Sequence, residues 1–213
     1  MKKALFVCGG WDGHQPEKIV QLFASDLQTR GLAAEIATTL DPLADLEHLK
    51  TYALIFPCWT MGQLTDEQEK SLVSAVRSGV GLAGIHGGMG DAFRGRLDYE
   101  WMVGGHFLGH PHIGDYSVRI ADWASPITAG LPSSFAYRSE QYYLMTDPGI
   151  HVLADTTYAH DGRITQMPVA WIKTWGSGRV FYNALGHHPD EFTQFPEARR
   201  LTVQGCLWAA GLL

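Results

Sequence analysis

The chain has 213 residues, 46% of them hydrophobic and 18% charged, with a net charge of −6. One sizeable core fits this better than two small ones, so a single domain over residues 1–213 is the expectation. Sixteen Lys and Arg against 22 Asp and Glu, with no basic run interleaved with aromatics, argue against nucleic acid as a partner.

The chain starts MKKALFVCGGW, a basic pair and then an apolar stretch. That stretch runs only from Ala4 to Cys8, too short for a secretory core or a membrane span, and it reads as a first strand. A cytoplasmic protein without membrane contact is therefore the default. Cys8, Cys58 and Cys206 are odd in number, scattered and free of any CxxC, which suits a reducing compartment and not a disulfide framework or a thiolate zinc site.

Gly9-Gly10-Trp11-Asp12-Gly13-His14 follows as a glycine-rich loop. Pro16 then opens a helix in which Ile19, Val20, Leu22, Phe23 and Leu27 keep helical spacing as far as Gly31. Ala33–Thr38 and Ala53–Pro57 read as the second and third strands. Thr65 with Gln68 three residues on is a capping box. The helix it starts turns Leu72, Val73 and Val76 inward and stops at Gly79, before a fourth strand at Val80–Ile85. This alternation calls for a parallel sheet with helices on both faces. The second half differs: Asp115–Ala121, Ala136–Leu144, Val152–Ala154, Val169–Trp175 and Arg179–Leu185 read as strands. The last two form a hairpin about Gly176-Ser177-Gly178, and Pro196–Leu212 is a closing helix with Leu201, Val203, Leu207 and Trp208 as candidate core.

In an open parallel sheet, ligands gather beyond the carboxyl ends of the strands. The first strand delivers Trp11, Asp12 and His14 there, the third Cys58, Trp59 and Thr60, and the fourth His86. The late hairpin ends at Gly186-His187-His188-Pro189. His86 stands out because GLAGIHGGMGD places it where a G-x-nucleophile-x-G elbow carries serine or cysteine, between Gly84 and Gly88. Glu140, inside the aromatic strand YRSEQYYLM, is either paired on an edge or aimed into the cleft, and the cleft is favoured. GGHFLGHPHIGD holds His106, His110 and His112, a pattern that fits a chelating segment or an exposed loop. His48, His151 and His160 read as surface residues, and Asp12, Asp91, Asp190 and Glu191 as caps of turns and helices.

These residues bring a family resemblance with them. GGWDGHQP, LIFPCWTMGQLTDEQEKSLVSAVRSGVGLAGIHGG, VGGHFLGHP, SPITAGLPSSFAYRSEQYY and PVAWIKTWGSGRVFYNALGHHPDEF, closing on LWAAG, resemble the ThuA-like family, named for a trehalose-utilisation protein. The matching stretches cover nearly the whole chain. The resemblance implies the fold of class I glutamine amidotransferases: an α/β, flavodoxin-like three-layer sandwich with a parallel sheet and antiparallel C-terminal strands. It also implies a role in carbohydrate metabolism, with the family's histidines and glutamate falling on His14, His86, Glu140 and His187, and less firmly on His110. The amidotransferases carry cysteine on the elbow. Here His86 cannot form their glutamyl thioester, so glutaminase chemistry is not expected.

The leading expectation is an enzyme that hydrolyses, eliminates or isomerises a disaccharide or keto-sugar, with His86, Glu140 and His187 as catalytic residues. Trp11, His14, Trp59 and His110 are expected to bind substrate. Two mechanisms stay open at this stage. His86, Glu140 and His187 hold zinc or another divalent metal, or they shuttle a proton beside a carbonyl without one. No nucleotide cofactor is expected. The rival reading is a sugar-binding or regulatory module that has lost its chemistry. The antiparallel half also offers an edge strand through which a homo-oligomer could form.

Overall fold

A computed structural model describes residues 1–213. Its first half is four parallel strands: β1 (Lys2–Gly10), β2 (Leu32–Ala37), β3 (Leu54–Thr60) and β4 (Gly81–Ile85). Strands β1 and β3 are apolar on successive residues because both faces of this sheet are covered. Ala4, Phe6, Cys8, Leu54, Phe56 and Cys58 enter one core, while Leu5, Val7 and Ile55 enter the other.

The helices supply the two outer layers. On the first face lies α1 (Pro16–Gln28), started by the proline and burying Ile19, Val20, Phe23 and Leu27. The closing helix, α7 (Pro196–Ala209), packs beside it through Ala198, Leu201, Val203 and Leu207. On the second face lie the single turn α2 (Leu46–Leu49), α3 (Asp66–Arg77) and α5 (Leu97–Val103). The Thr65–Gln68 capping box is formed in full, and α3 buries Leu72, Ala75 and Val76. Short α4 (His86–Gly90) and α6 (Glu191–Gln194) belong to the site described below.

The second half completes one nine-stranded sheet with β5 (Gly105–Ile120), β6 (Ser134–Thr146), β7 (His151–His160), β8 (Arg163–Trp175) and β9 (Gly178–Asn183). The order is β2-β1-β3-β4-β9-β8-β7-β5-β6. Strand β9 joins β4 in parallel, and every pairing beyond it is antiparallel. The expected three-layer architecture is therefore present, as is the β8–β9 hairpin.

Several boundaries depart from the sequence reading. The short segment read as Val152–Ala154 is the ten-residue β7, and β8 starts at Arg163 instead of Val169. The histidine-rich GGHFLGHPHIGD is not a loop: it forms the first part of β5 and pairs with β6. Glycine and proline masked it, and the ladder absorbs them with register shifts between Phe107 and Gly109 and between Gly109 and His112. In the other direction, the closing helix stops at Ala209 and β9 at Asn183, leaving Ala184 and Leu185 in the chain that leads to His187.

Candidate functional site

Strands β1 and β3 run side by side to their carboxyl ends, with Cys8 opposite Cys58 and Gly10 opposite Thr60. Next to them β4 ends in an elbow. His86 has φ of +41°, the left-handed region that a side chain with a Cβ rarely adopts, and α4 begins at that residue. The glycines around it are required by close approach. A Cβ on Gly84 would lie 2.6 Å from Met89 Cβ, and one on Gly88 would lie 3.0 Å from Cys58 Cα. The elbow inferred from sequence is thus present, with an imidazole at its tip.

Four side chains from four segments meet above it. His14 arrives from the turn before α1, His86 from the elbow, Glu140 from β6 and His187 from the loop after β9. One donor atom from each lies within 4.8 Å of all the others. Glu140 Oε2 is 3.2 Å from His86 Nε2 and 3.4 Å from His187 Nδ1. The three imidazoles form a triangle with centroids 4.9–5.4 Å apart, each pair edge to face.

Hydrogen bonds fix which nitrogens face inward. His86 Nδ1 donates to the Ala184 carbonyl at 2.8 Å, so a neutral His86 ring turns the lone pair of Nε2 toward Glu140. Tyr142 stacks on that ring at 3.9 Å, and the Tyr182 hydroxyl donates to the His86 carbonyl. His14 Nδ1 is hydrogen-bonded to the Thr60 hydroxyl at 2.6 Å, which leaves its Nε2 free. His187 Nδ1 is buried and has no hydrogen-bond partner: it lies at ion-pair distance from Glu140 but is not aligned with it.

The charges follow from this crowding. Burial, and then the imidazoles of His86 and His187, push His14 down to about 3, so it is neutral at physiological pH. Burial alone would raise the Glu140 carboxyl, but His187 and His86 beside it outweigh that and hold it well below the usual carboxylate range. The same carboxylate holds the His187 imidazolium above its ordinary value, against burial. One anion therefore faces three rings, at least one of which carries a neutral, inward nitrogen.

The rim is aromatic and polar. Trp11 is 47% exposed and packs edge-on against His14, with its ring 6.4 Å from that of His187. His110 approaches the other carboxylate oxygen, with Nε2 3.5 Å from Glu140 Oε1. It is carried there by the irregular stretch of β5, as bulges often re-aim a side chain. A groove of about 600 Å³, lined by Cys8, Gly9, Asp12, Gln15 and Lys18 among others, lies beside the end of β1 and the start of α1, and none of the four clustered donors lines it.

The sequence-based assignments fare unequally. His86, Glu140 and His187 do converge, and His14, read as substrate-binding, joins them as a fourth donor. The N-cap of α1 is the next residue, Gln15, which makes no side-chain cap bond. Trp59 is not a free wall: its ring packs so closely on Gly9 and Gly62 that a Cβ at either would lie 2.5 Å from it. His188 turns away to Gln15, His106 pairs with Glu100, and His48, His151 and His160 are surface residues as read. Asp91 sits at the C-cap of α4, as read, and is also a buried acceptor of a two-pronged Arg94 contact. Glu191, also read as a cap, is buried and accepts from Tyr137, Ser139 and the His187 backbone. The one signal for that role was its position four residues after His187.

Comparisons with known proteins agree with this fold. The family model ThuA, described as trehalose utilisation, matches residues 3–209. A ThuA-like protein of Parabacteroides merdae superposes with a TM-score of 0.79 at 16% identity, over 98% of this chain and 90% of that one. A ThuA-like protein of Bacteroides uniformis gives 0.77 at 18% identity, over 98% and 91%. A β-galactosidase of Bacillus circulans sp. alkalophilus gives 0.54 at 14% identity, covering 98% of this chain but 30% of the enzyme. No curated protein sequence matches the chain.

Proposed function

The chain belongs to the ThuA family of trehalose-utilisation proteins, and from that premise we propose that it is an enzyme of carbohydrate metabolism with a divalent-metal centre. The substrate class is a disaccharide or keto-sugar. The observation that carries this reading is the inward-facing donor set of His14, His86, Glu140 and His187, with His187 Nδ1 buried, 3.4 Å from Glu140 Oε2 and without a hydrogen bond.

The donor set fits a metal on three counts. Imidazole nitrogens with one carboxylate oxygen are a common zinc set, and an ion held by His86, Glu140 and His187 would keep a position open for substrate beside His14. Ligands about 2.1 Å from a tetrahedral ion stand about 3.4 Å apart, and Glu140 Oε2 is already 3.2 and 3.4 Å from two of the nitrogens. A lone pair on His86 Nε2 facing a carboxylate is repulsive unless a proton or a cation lies between them. A bound divalent ion would supply a Lewis acid that polarises a carbonyl or hydroxyl oxygen of the sugar.

The chain's own groups would do the rest. Trp11 offers a ring for the apolar face of a pyranose at the mouth of the site. Glu140 turns Oε2 toward the histidines and Oε1 toward His110, so a proton can pass between that oxygen and His110 Nε2 at the accessible edge. Tyr142, stacked on His86, and Thr60, bonded to His14, keep those two rings from turning away. This combination suits hydrolysis, elimination or isomerisation at a sugar carbon that bears oxygen.

The test is elemental analysis of untagged protein purified without chelator, as wild type and as His86→Ala. Turnover of trehalose and keto-sugars is then followed before and after metal removal. Stoichiometric zinc or manganese that is lost in the variant, together with chelator-sensitive turnover, is the expected outcome. Metal-free wild type that still turns over sugar would sink the metal reading. Tight sugar binding without turnover under any metal would instead leave a binding module.

A further inference from the structure

We infer that Glu191 is a positioning residue of this centre, a single carboxylate that sets His187 and Glu140 in register with each other. The inference rests on the reading of the cluster as a metal site.

Glu191 opens α6 and is only 8% exposed, yet it makes no ion pair with any Lys, Arg or His side chain. A carboxylate buried without a counter-charge is costly unless hydrogen bonds satisfy it. Three neutral donors do so. Tyr137 donates its hydroxyl to Oε2 at 2.6 Å, Ser139 donates to Oε1 at 2.8 Å, and the His187 backbone N–H donates to Oε2 at 3.2 Å.

The placement of those donors gives the arrangement its meaning. Tyr137 and Ser139 are on β6, three residues and one residue before Glu140, and their side chains leave the strand toward the face that holds Glu191. The third donor is the backbone of His187. Oxygen Oε2 is shared between Tyr137 and His187, so one atom bridges the strand that presents the anionic donor and the loop that presents the imidazole. The loop is held on its other side as well. Gly186 has φ of +99°, and a Cβ there would lie 2.2 Å from Phe192 Cζ, so the chain before His187 is pressed onto the next residue of α6. Residues 186–192 are therefore packed on one another, and Glu191 ties that segment to β6. An apolar residue would fill the same volume at less cost, but it would not connect the two donors.

The experiment compares wild type, Glu191→Gln and Tyr137→Phe by zinc competition against a chelating dye. Ring-to-ring nuclear Overhauser contacts from His187 to His14 and Trp11 are measured in parallel on metal-free protein. Glu191→Gln should weaken zinc binding about 10- to 100-fold, the range typical of supporting hydrogen bonds behind a ligand. It should also weaken the His187 contacts. Tyr137→Phe, which leaves the carboxylate in place, should do the same to a lesser degree, and the double variant should lose less than the sum of the two. If both variants melt earlier but keep zinc affinity and the His187 contacts of wild type, Glu191 is structural only and the inference is overturned. If Glu191→Gln fails to fold, Tyr137→Phe and Ser139→Ala decide the matter. Should wild type bind no zinc, the metal reading fails alone, and the His187 contacts still decide the role of Glu191.

Discussion

Gly87→Ala disturbs the centre without removing any of its donors. A Cβ at this position would lie 2.5 Å from His14 Cε1, 3.0 Å from His14 Nδ1 and 3.0 Å from the Tyr142 hydroxyl. Ordinary Cβ contacts begin near 3.4 Å, so His14 must withdraw by about 1 Å (3.4 less 2.5). It has no easy direction to take, because Thr60 holds Nδ1 and the rings of His86 and His187 close two sides. Overpacking of this kind costs about 1–3 kcal/mol. In a domain of this size each kcal/mol moves Tm by about 2–4 °C, so a fall of about 2–12 °C is expected. Zinc affinity should drop at least as far as when a supporting contact is lost, about 10- to 100-fold. Thermal melts with and without zinc, and dye competition for zinc, measure both quantities. Zinc affinity equal to wild type in a folded Gly87→Ala protein would refute the placement of His14 among the donors.

Proton release should accompany metal uptake, because His187 holds its proton above the ordinary value of 6.5 in the metal-free protein and must give it up to become a ligand. Zinc added near pH 7 in weak buffer should therefore acidify the solution, and affinity should decline as pH falls through that range. His14 acts on stability in a definite sense. Its folded value of about 3 lies below the ordinary 6.5, so its contribution is complete above about pH 6.5 and is lost as pH falls toward 3. Urea unfolding of His14→Gln at pH 7 and pH 5 should show a smaller loss between the two than wild type does, and an equal loss would count against it. Thr60→Val removes the hydroxyl that orients His14. It should weaken zinc binding about 10-fold or more while the fold is retained, as followed by the same dye competition.

The parallel half was legible because its signals are local. Pro16 starts a helix, Thr65 and Gln68 cap one, and apolar runs buried on both faces mark β1 and β3. The antiparallel half was legible only where alternation is clean. In β5 the stretch from Gly105 to Gly114 contains two glycines besides its first residue and a proline, so composition points to a loop, while pairing with β6 makes a strand. Tertiary partners decided it, and no window of sequence contains them. The same division runs through the site. His86 announces itself by the glycines on either side, and His187 by its place after a strand. His14 read as a substrate-binding residue, and what brings it among the donors is the meeting of segments 72 residues apart in sequence, His14 and His86. Trp11 and Trp59 looked equivalent in sequence; both rings pack on glycine, but Trp59 is half-buried against the second core while Trp11 stays 47% exposed at the rim.

The elbow itself explains why a histidine can replace a nucleophile on this fold. A left-handed residue between a buried strand and a short helix lifts one side chain over the carboxyl edge of the sheet, whatever that side chain is. An amidotransferase-like thiol mechanism needs a thiolate at that tip, and the thiols nearby are poorly suited to become one. Burial, and then Glu17, push Cys8 up to about 11, while Cys58 is buried beneath Gly88 and raised further by the same cause. An imidazole at the tip needs something different, a fixed ring with one nitrogen turned inward. The Ala184 carbonyl supplies this by taking the Nδ1 proton, and the Tyr142 stack holds the ring plane. Both contacts come from the antiparallel half or the chain just after β9, as do Glu140 and His187. The parallel half thus presents His14 and His86, and the second half supplies the carboxylate, the third imidazole and the groups that set the tautomer. A functional centre of this kind depends on the packing of the two halves against each other, which is why a tie such as Glu191, inside the second half, acts on the geometry of the whole cluster.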